Sequence, residues 1–293
     1  MRNADDLKFL LELARTGRLV EAGRRLGVEH TTVARRIANL ERQVGERLFD
    51  RLSSGWRLTE RGRQLLPYAE TIDSAMTAAF GDTGKAQTLS GTVRLAAPDG
   101  FGAYVLTPGL GRLREDHPDL AVEVTTATSN LSLGARDFDL AVTLERPTSR
   151  AVMIRRLTDY SLKLYASEDY LARHEPITST RDLVRHTIIW YIDSILDVQP
   201  LKSLSAILPD CKATIQTNNI SGHLTATKAG LGLSLLPTYI GATEPKLCEV
   251  LPEEIVGRRT YWVVVMKELS HLRRVQAVDS LLTSLVADSS VFE

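Results

Sequence analysis

Apolar residues recur at helical spacing from the start of the chain. Leu7, Leu10, Leu11 and Ala14 fall on one helix face, and Gly17 ends the pattern. A short second helix is predicted through Glu21–Leu26. Gly27 closes it, because a residue without Cβ takes positive φ easily. A third helix is predicted from about His30 to Val44. Its inward stripe is Val33, Ile37, Leu40 and Val44, with Thr31, Arg35, Ala38 and Arg42 opposite. Leu48–Arg51 and Arg57–Thr59 flank the turn cluster Ser53-Ser54-Gly55, which predicts a small β-hairpin. Thr59 is a plausible N-cap for a helix from Glu60 to about Gly81, with Leu65, Leu66, Ala69, Ile72, Met76, Ala79 and Phe80 on one side. Pro67 lies inside that pattern and should bend the helix or remove one of its hydrogen bonds. Gly81 through Gly91 reads as a hinge.

Beyond residue 91 the pattern changes. Strand-like runs at Thr92–Ala97, Leu120–Thr126, Phe138–Leu144, Ser161–Ala166, Thr187–Ile192, Lys212–Thr217, Leu233–Leu236 and Tyr261–Val265 alternate with helical stretches at Phe101–His117, Leu131–Arg136 and Asn219–Ala229. A last helix is predicted at about His271–Val286. Such alternation predicts a parallel sheet with helices on its faces. Two α/β lobes are the natural division, with hinge strands near Leu144–Arg146 and Val264–Lys267.

Composition is that of an ordinary folded chain: 293 residues, 43% hydrophobic and 25% charged. That length suits two or three cores rather than one. There is no apolar run of membrane-spanning length and no signal-peptide core, so no membrane contact and a cytoplasmic location are expected. Cys211 and Cys248 lie far apart, and the six histidines show no close metal pair, so no metal or cofactor is expected.

Net charge is zero, but it is segregated. Residues 1–63 hold 14 Lys+Arg against 9 Asp+Glu, a net of +5, and the rest of the chain carries −5. A basic segment ahead of an acidic body fits a DNA-binding head on a domain with another task; chance asymmetry is the alternative. Helix, Gly turn, helix with a polar outer face is a helix-turn-helix arrangement, whose second helix enters the major groove. Arg35 can bond bidentately to guanine, Thr31 and Thr32 offer a hydroxyl and a methyl, and His30 can donate or accept. Ala34 and Arg36 belong to the same turn of helix. Arg51 and Arg57 on the hairpin suit phosphate or minor-groove contact, and Trp56 is expected to pack. Taken alone, the third helix fits a solvated face as well as a DNA-reading one.

The run from Ala22 to Glu41, then Val44-Gly45, Leu48–Arg51 and Leu58–Gly62, resembles the LysR-type transcriptional regulators without a gap across the whole head. More loosely, so do Leu89–Leu95, Phe138–Val142 and Ala229–Pro237. Family members usually carry Ser-Gln where this chain has Glu29-His30, and often Ser at Ala34. The resemblance implies a winged helix-turn-helix DNA-binding domain (1–59), a linker dimerisation helix and hinge (60–90), and an α/β two-lobed effector-binding domain like periplasmic binding proteins (91–293). Lobe I would span about 91–145 and 267–293, and lobe II about 146–266. It implies an operator in double-stranded DNA, a homodimer or homotetramer paired through Leu65, Ala69, Ile72 and Met76, and RNA polymerase as a partner if the protein activates.

Ligands of open α/β sheets sit outside the carboxyl ends of strands. Three such ends open helices here: Asp99-Gly100-Phe101, Thr128-Ser129-Asn130 and Asn218-Asn219-Ile220. Together they would suit a carboxylate or other small anion, though Asp99, Thr128 and Asn219 could be simple N-caps, and both roles are compatible. The resemblance makes this inter-lobe cleft the site of a small-molecule effector. It also marks Asp99 as a departure from the hydroxyl residue frequent in the first loop, and a carboxylate there disfavours an anionic effector. Two rival classes remain. An enzyme would need a charged catalytic constellation, and the sequence shows none. A pure solute-binding protein would have no use for the basic head. Gly230-Leu231-Gly232 follows a predicted helix rather than a strand, so it is expected to be a helix end and not a dinucleotide loop.

Overall fold

A computed structural model describes residues 5–52, 55–80, 89–126, 138–195, 204–289 and 292. The chain forms two compact units, residues 1–87 with 271–273 and residues 88–270 with 274–293.

In the first unit, α1 (Asp6–Thr16) buries Leu10, Leu11 and Leu13 and ends on the left-handed Gly17. Helix α2 (Leu19–Leu26) ends on Gly27 at φ 66°, and α3 (His30–Val44) follows after a short turn. All three predicted helices form, because each apolar stripe finds the same core of Leu10, Leu13, Ala22, Val33, Ile37 and Leu48. The wing is β1 (Phe49–Leu52) paired antiparallel with β2 (Gly55–Leu58). Ser53 and Ser54 at its tip lie outside the described residues. Trp56 packs as expected, edge-on to Phe49 at 6.0 Å between ring centroids.

Helix α4 (Glu60–Phe80) starts at Thr59, whose Oγ1 accepts from the Gly62 amide at 3.1 Å, and it continues through Pro67. The stripe expected to need a partner chain is divided. Ala69 is buried in the core of its own head, and Leu65 and Leu66 pack beside it. Tyr68, Ile72 and Met76 stay exposed at intervals of four residues. The head therefore covers more of this helix than its size suggested, because α1 lies along its first turns.

The second unit is built on a sheet with nine strands among the described residues. Strands β3 (Gly91–Ala97), β4 (Leu120–Thr126) and β5 (Leu140–Thr143) form one parallel group in the order β4-β3-β5. Strands β7 (Ile188–Tyr191), β8 (Ala213–Thr217) and β9 (Leu233–Pro237) form another, in the order β8-β7-β9. The sheet is not parallel throughout, as alternation had predicted. Two long strands, β6 (Val152–Ser167) and β11 (Val256–Met266), run antiparallel and join the groups, with β10 (Leu247–Val250) also on β6. Periodicity locates strands but carries no information on their direction, which the antiparallel β6–β11 ladder decides. A register shift at Tyr261/Trp262 breaks that ladder midway. From Trp262 onward β11 pairs with β5 as well, and the matching point on β6 is Arg156–Thr158.

Helices cover the sheet. The stretch after β3 begins as α5 (Asp99–Phe101), loosens into a π-helical turn at Gly102–Leu106, and continues as α6 (Thr107–Asp116). Beyond β6 come α7 (Glu168–Arg173), α8 (Leu204–Ile207), α9 (Ile220–Lys228) and α10 (Thr238–Gly241). Helix α11 (Arg273–Ala287) closes the unit and is pinned by Arg155 Nη2 donating to Asp279 Oδ1 at 2.6 Å. The predicted helix at Leu131–Arg136 lies outside the described residues.

Candidate nucleic-acid interface and effector cleft

On the head, the inward stripe of α3 is buried and the residues between remain outward. His30, Thr31 and Arg35 are exposed; Thr32 and Ala34 are half-buried beside them. Pairing sorts the arginines. Arg24 and Arg25 reach Glu21, Arg61 reaches Glu46 and Arg63 reaches Glu60. Arg36 turns inward: its Nη1 lies 3.0 Å from Oδ1 of the buried Asp6, and its guanidinium sits over Phe9 at 5.6 Å. Sequence spacing grouped Arg36 with the base-reading residues, but its carboxylate partner is on α1, thirty residues away. Arg35 and Arg57 are exposed and have no acidic partner among the described residues. Arg51 lies over the Trp56 ring at 4.5 Å, which holds its guanidinium on the wing.

In the second unit, the carboxyl ends of β3 and β7 meet at a cleft lined by Pro98, Asp99, Gly100, Leu144, Trp190, Tyr191 and Ile220, and by Tyr160, Tyr239 and Tyr261. Each parallel group reverses its strand order there, the position where open α/β sheets leave a crevice. The two sides are close. A Cβ built on Gly100 would stand 3.1 Å from Ile220 Cγ2 and 3.2 Å from the Tyr239 hydroxyl. The cavity measures about 30 Å³, room for roughly two waters.

Its walls are aromatic. Tyr160 stacks on Tyr261 at 4.4 Å, and the Tyr239 and Tyr261 hydroxyls are 2.7 Å apart. Burial pushes the Tyr160 phenol up to about 12 and holds Tyr191, Tyr239 and Tyr261 well above the usual range. The ring hydroxyls are therefore neutral donors and acceptors, not anions. Below them lies His223, with no exposed surface, 4.4 Å from Tyr191. Burial lowers its pKa to about 4.

The structure divides the nine expected effector positions. Asp99, Gly100 and Ile220 line the cavity. Phe101 does not: it is fully buried against Tyr261 at 5.0 Å. Asn218 and Asn219 do not line it either. Asn219 Oδ1 caps α9 by accepting from Gly222 N at 2.7 Å, and its Nδ2 donates to Asn218 Oδ1. Thr128, Ser129 and Asn130 lie outside the described residues. Asp99 is not the N-cap of α5, which is Pro98, but its first residue, and its Oδ2 accepts from Ile220 N at 2.9 Å. Burial raises the Asp99 pKa, opposed by the backbone amides of Ile220, Ser221 and Gly100. The tyrosines were missed because they sit on β6, β7, α10 and β11, far apart in sequence. The consecutive aromatic pair Trp190-Tyr191 was the only local signal.

A winged helix-turn-helix joined to a two-lobed α/β unit with a cleft at its switch points defines a DNA-binding regulator with a ligand-binding domain. The family model described as "Bacterial regulatory helix-turn-helix protein, lysR family" matches residues 4–63, and "LysR substrate binding domain" matches residues 86–285. The chain belongs to the LysR family of transcriptional regulators, and the family and its named relatives are regulators rather than enzymes. It is 23% identical over 287 residues to the Mau operon transcriptional activator of Paracoccus denitrificans, covering 98% of each chain. Among solved structures, CrgA of Neisseria meningitidis, a LysR-type regulator, aligns with a TM-score of 0.60 at 20% identity over 97% of this chain and 99% of that one. A Corynebacterium glutamicum OxyR C206 mutant aligns with 0.63 at 18%, over 97% and 96%. Among the described residues no helix is long and apolar enough to cross a membrane, and no group of His, Cys, Asp or Glu could hold a metal ion.

Proposed function

We propose that this LysR-type regulator reads its operator with His30, Thr31, Thr32, Ala34 and Arg35 of α3, holds the phosphates with Arg51 and Arg57 of the wing, and answers to a small molecule in the Tyr-lined cleft. The observation that carries the DNA assignment is the pairing pattern: Arg35 of α3 and Arg51 and Arg57 of the wing are exposed with no acidic partner among the described residues, as is Arg42 further along α3, while Arg36 is committed to Asp6. Unpaired guanidinium groups are free to replace counterions on DNA. The cleft assignment rests on its place at two strand-order reversals and on its convergent hydroxyls. Its small volume means that the lobes must part to admit a ligand. A ligand touching both lobes then acts through its differential affinity for the open and closed arrangements.

Tyr68, Ile72 and Met76 form an uncovered apolar stripe on α4, and a second copy of this chain is its proposed cover. Two heads would then meet two half-sites, in a homodimer or homotetramer. RNA polymerase is the proposed partner if the protein activates, and the cytoplasm is the proposed location. The test is a gel-shift with DNA from upstream of the protein's own gene. Binding by the full chain should fall steeply with salt, and a fragment beginning at Gly91 should not bind. Full binding by that fragment would refute the reading.

A further inference from the structure

Of the residues that line the cleft, Asp99 alone carries a charge. It reaches across: it stands at the end of β3 and accepts from the amide of Ile220, 121 residues further along, at the start of α9. Helix α9 has nine residues, enough for its N-terminus to attract an anion. Its first-turn amides are all engaged. Ile220 N donates to Asp99, the Ser221 amide also faces that carboxylate, Gly222 N donates to Asn219 Oδ1, and His223 N donates to Asn219 O at 3.4 Å. A free carboxylate arriving here would find no donor unless it displaced the one already present. The groups that favour the charged Asp99 are backbone amides.

We propose that Asp99 is a built-in ligand: its carboxylate fills the anion cradle of α9, ties the two sides of the cleft together, and so restricts the effector to small molecules without a free carboxylate. The recognition left to such a molecule is by neutral phenols and aromatic faces, which suits an uncharged or cationic hydroxyl- or amine-bearing compound. This rests on the effector role of the cleft only for its consequence. The filled cradle is a property of the fold itself.

Amide hydrogen exchange of the full chain tests it, with sodium formate as the probe and equimolar sodium chloride as the control. Formate matches the group that Asp99→Ala deletes. In the unsubstituted protein the amides of Ile220 and Ser221 should be protected, with formate and chloride indistinguishable. In Asp99→Ala those amides should exchange roughly tenfold faster or more, and formate, but not chloride, should restore protection. Should Asp99→Ala not fold, Asp99→Ser carries the same readouts, since Ser keeps a polar group at the first residue of α5 but is too short to reach Ile220. Unchanged exchange in the variant, or formate protection as strong in the unsubstituted protein, overturns the proposal. The effector role is judged separately, by titrating a ligand found in a metabolite screen. A failed screen leaves the formate result standing, and a failed formate rescue does not touch the titration.

Discussion

Protonation of His223 should weaken this protein as pH falls below about 6.5. The ring has no exposed surface, and neither nitrogen has a hydrogen-bond partner of good geometry. The carbonyls of Thr217 and Trp190 favour the charged form, but burial outweighs them and sets the pKa near 4, against 6.5 for a free imidazole. A depressed histidine pKa means that the unfolded chain takes up the proton first. The stability is intact above pH 6.5 and is lost as pH falls through the window down to about 4. Linkage over that interval gives a loss of about 2 kcal/mol at pH 5 and about 3 kcal/mol at pH 4. Asp99 and Asp139 act in the opposite sense: burial raises both, so they favour the folded state as pH falls and disfavour it as pH rises through their folded values. A difference measurement removes them. His223→Leu replaces two buried nitrogens that have no hydrogen bond of good geometry with carbon and should be near neutral at pH 7. Thermal unfolding of both proteins at pH 7 and pH 5 should then show the original losing about 4–8 °C more than the variant. Parallel pH profiles would refute the argument and mean that the ring is already solvated in the native state.

Arg35→Ala should weaken operator binding by about 1–3 kcal/mol and relax preference at one base pair of each half-site, read by gel-shift on an operator mutant series; unchanged preference would take α3 out of the groove. Arg57→Ala should weaken binding to all sequences about equally and lower the salt slope. Arg36→Ala should act on folding instead, leaving buried Asp6 unpaired at about 1–3 kcal/mol in a urea melt of the head; a loss confined to base preference would restore it to the reading face. Ile72→Asp places a charge on the exposed stripe of α4 and should give monomers with weak operator binding, and an unchanged sedimentation profile would reject that stripe as the interface.

What the sequence determined by itself lies mostly within single elements. The limits of α3, the Gly27 turn, the wing strands and the Thr59 cap follow from spacings of three, four or two residues and from local backbone preference, so a reading of neighbours suffices. The charge segregation that marked the head is equally local. What only the tertiary structure decided involves residues that the chain brings together from a distance. Strand direction was invisible, and β6 and β11 turned an expected parallel sheet into a mixed one. The burial of Ala69 depended on where α1 lies, and the ion pair of Arg36 depended on Asp6, which lies on another helix. Four tyrosines from four separate segments became one cleft wall. Asp99 was legible as a carboxylate at a helix start, but its hold on Ile220 was not, since an isolated stretch of sequence says which groups need a partner and only the folded chain says which partner arrives first.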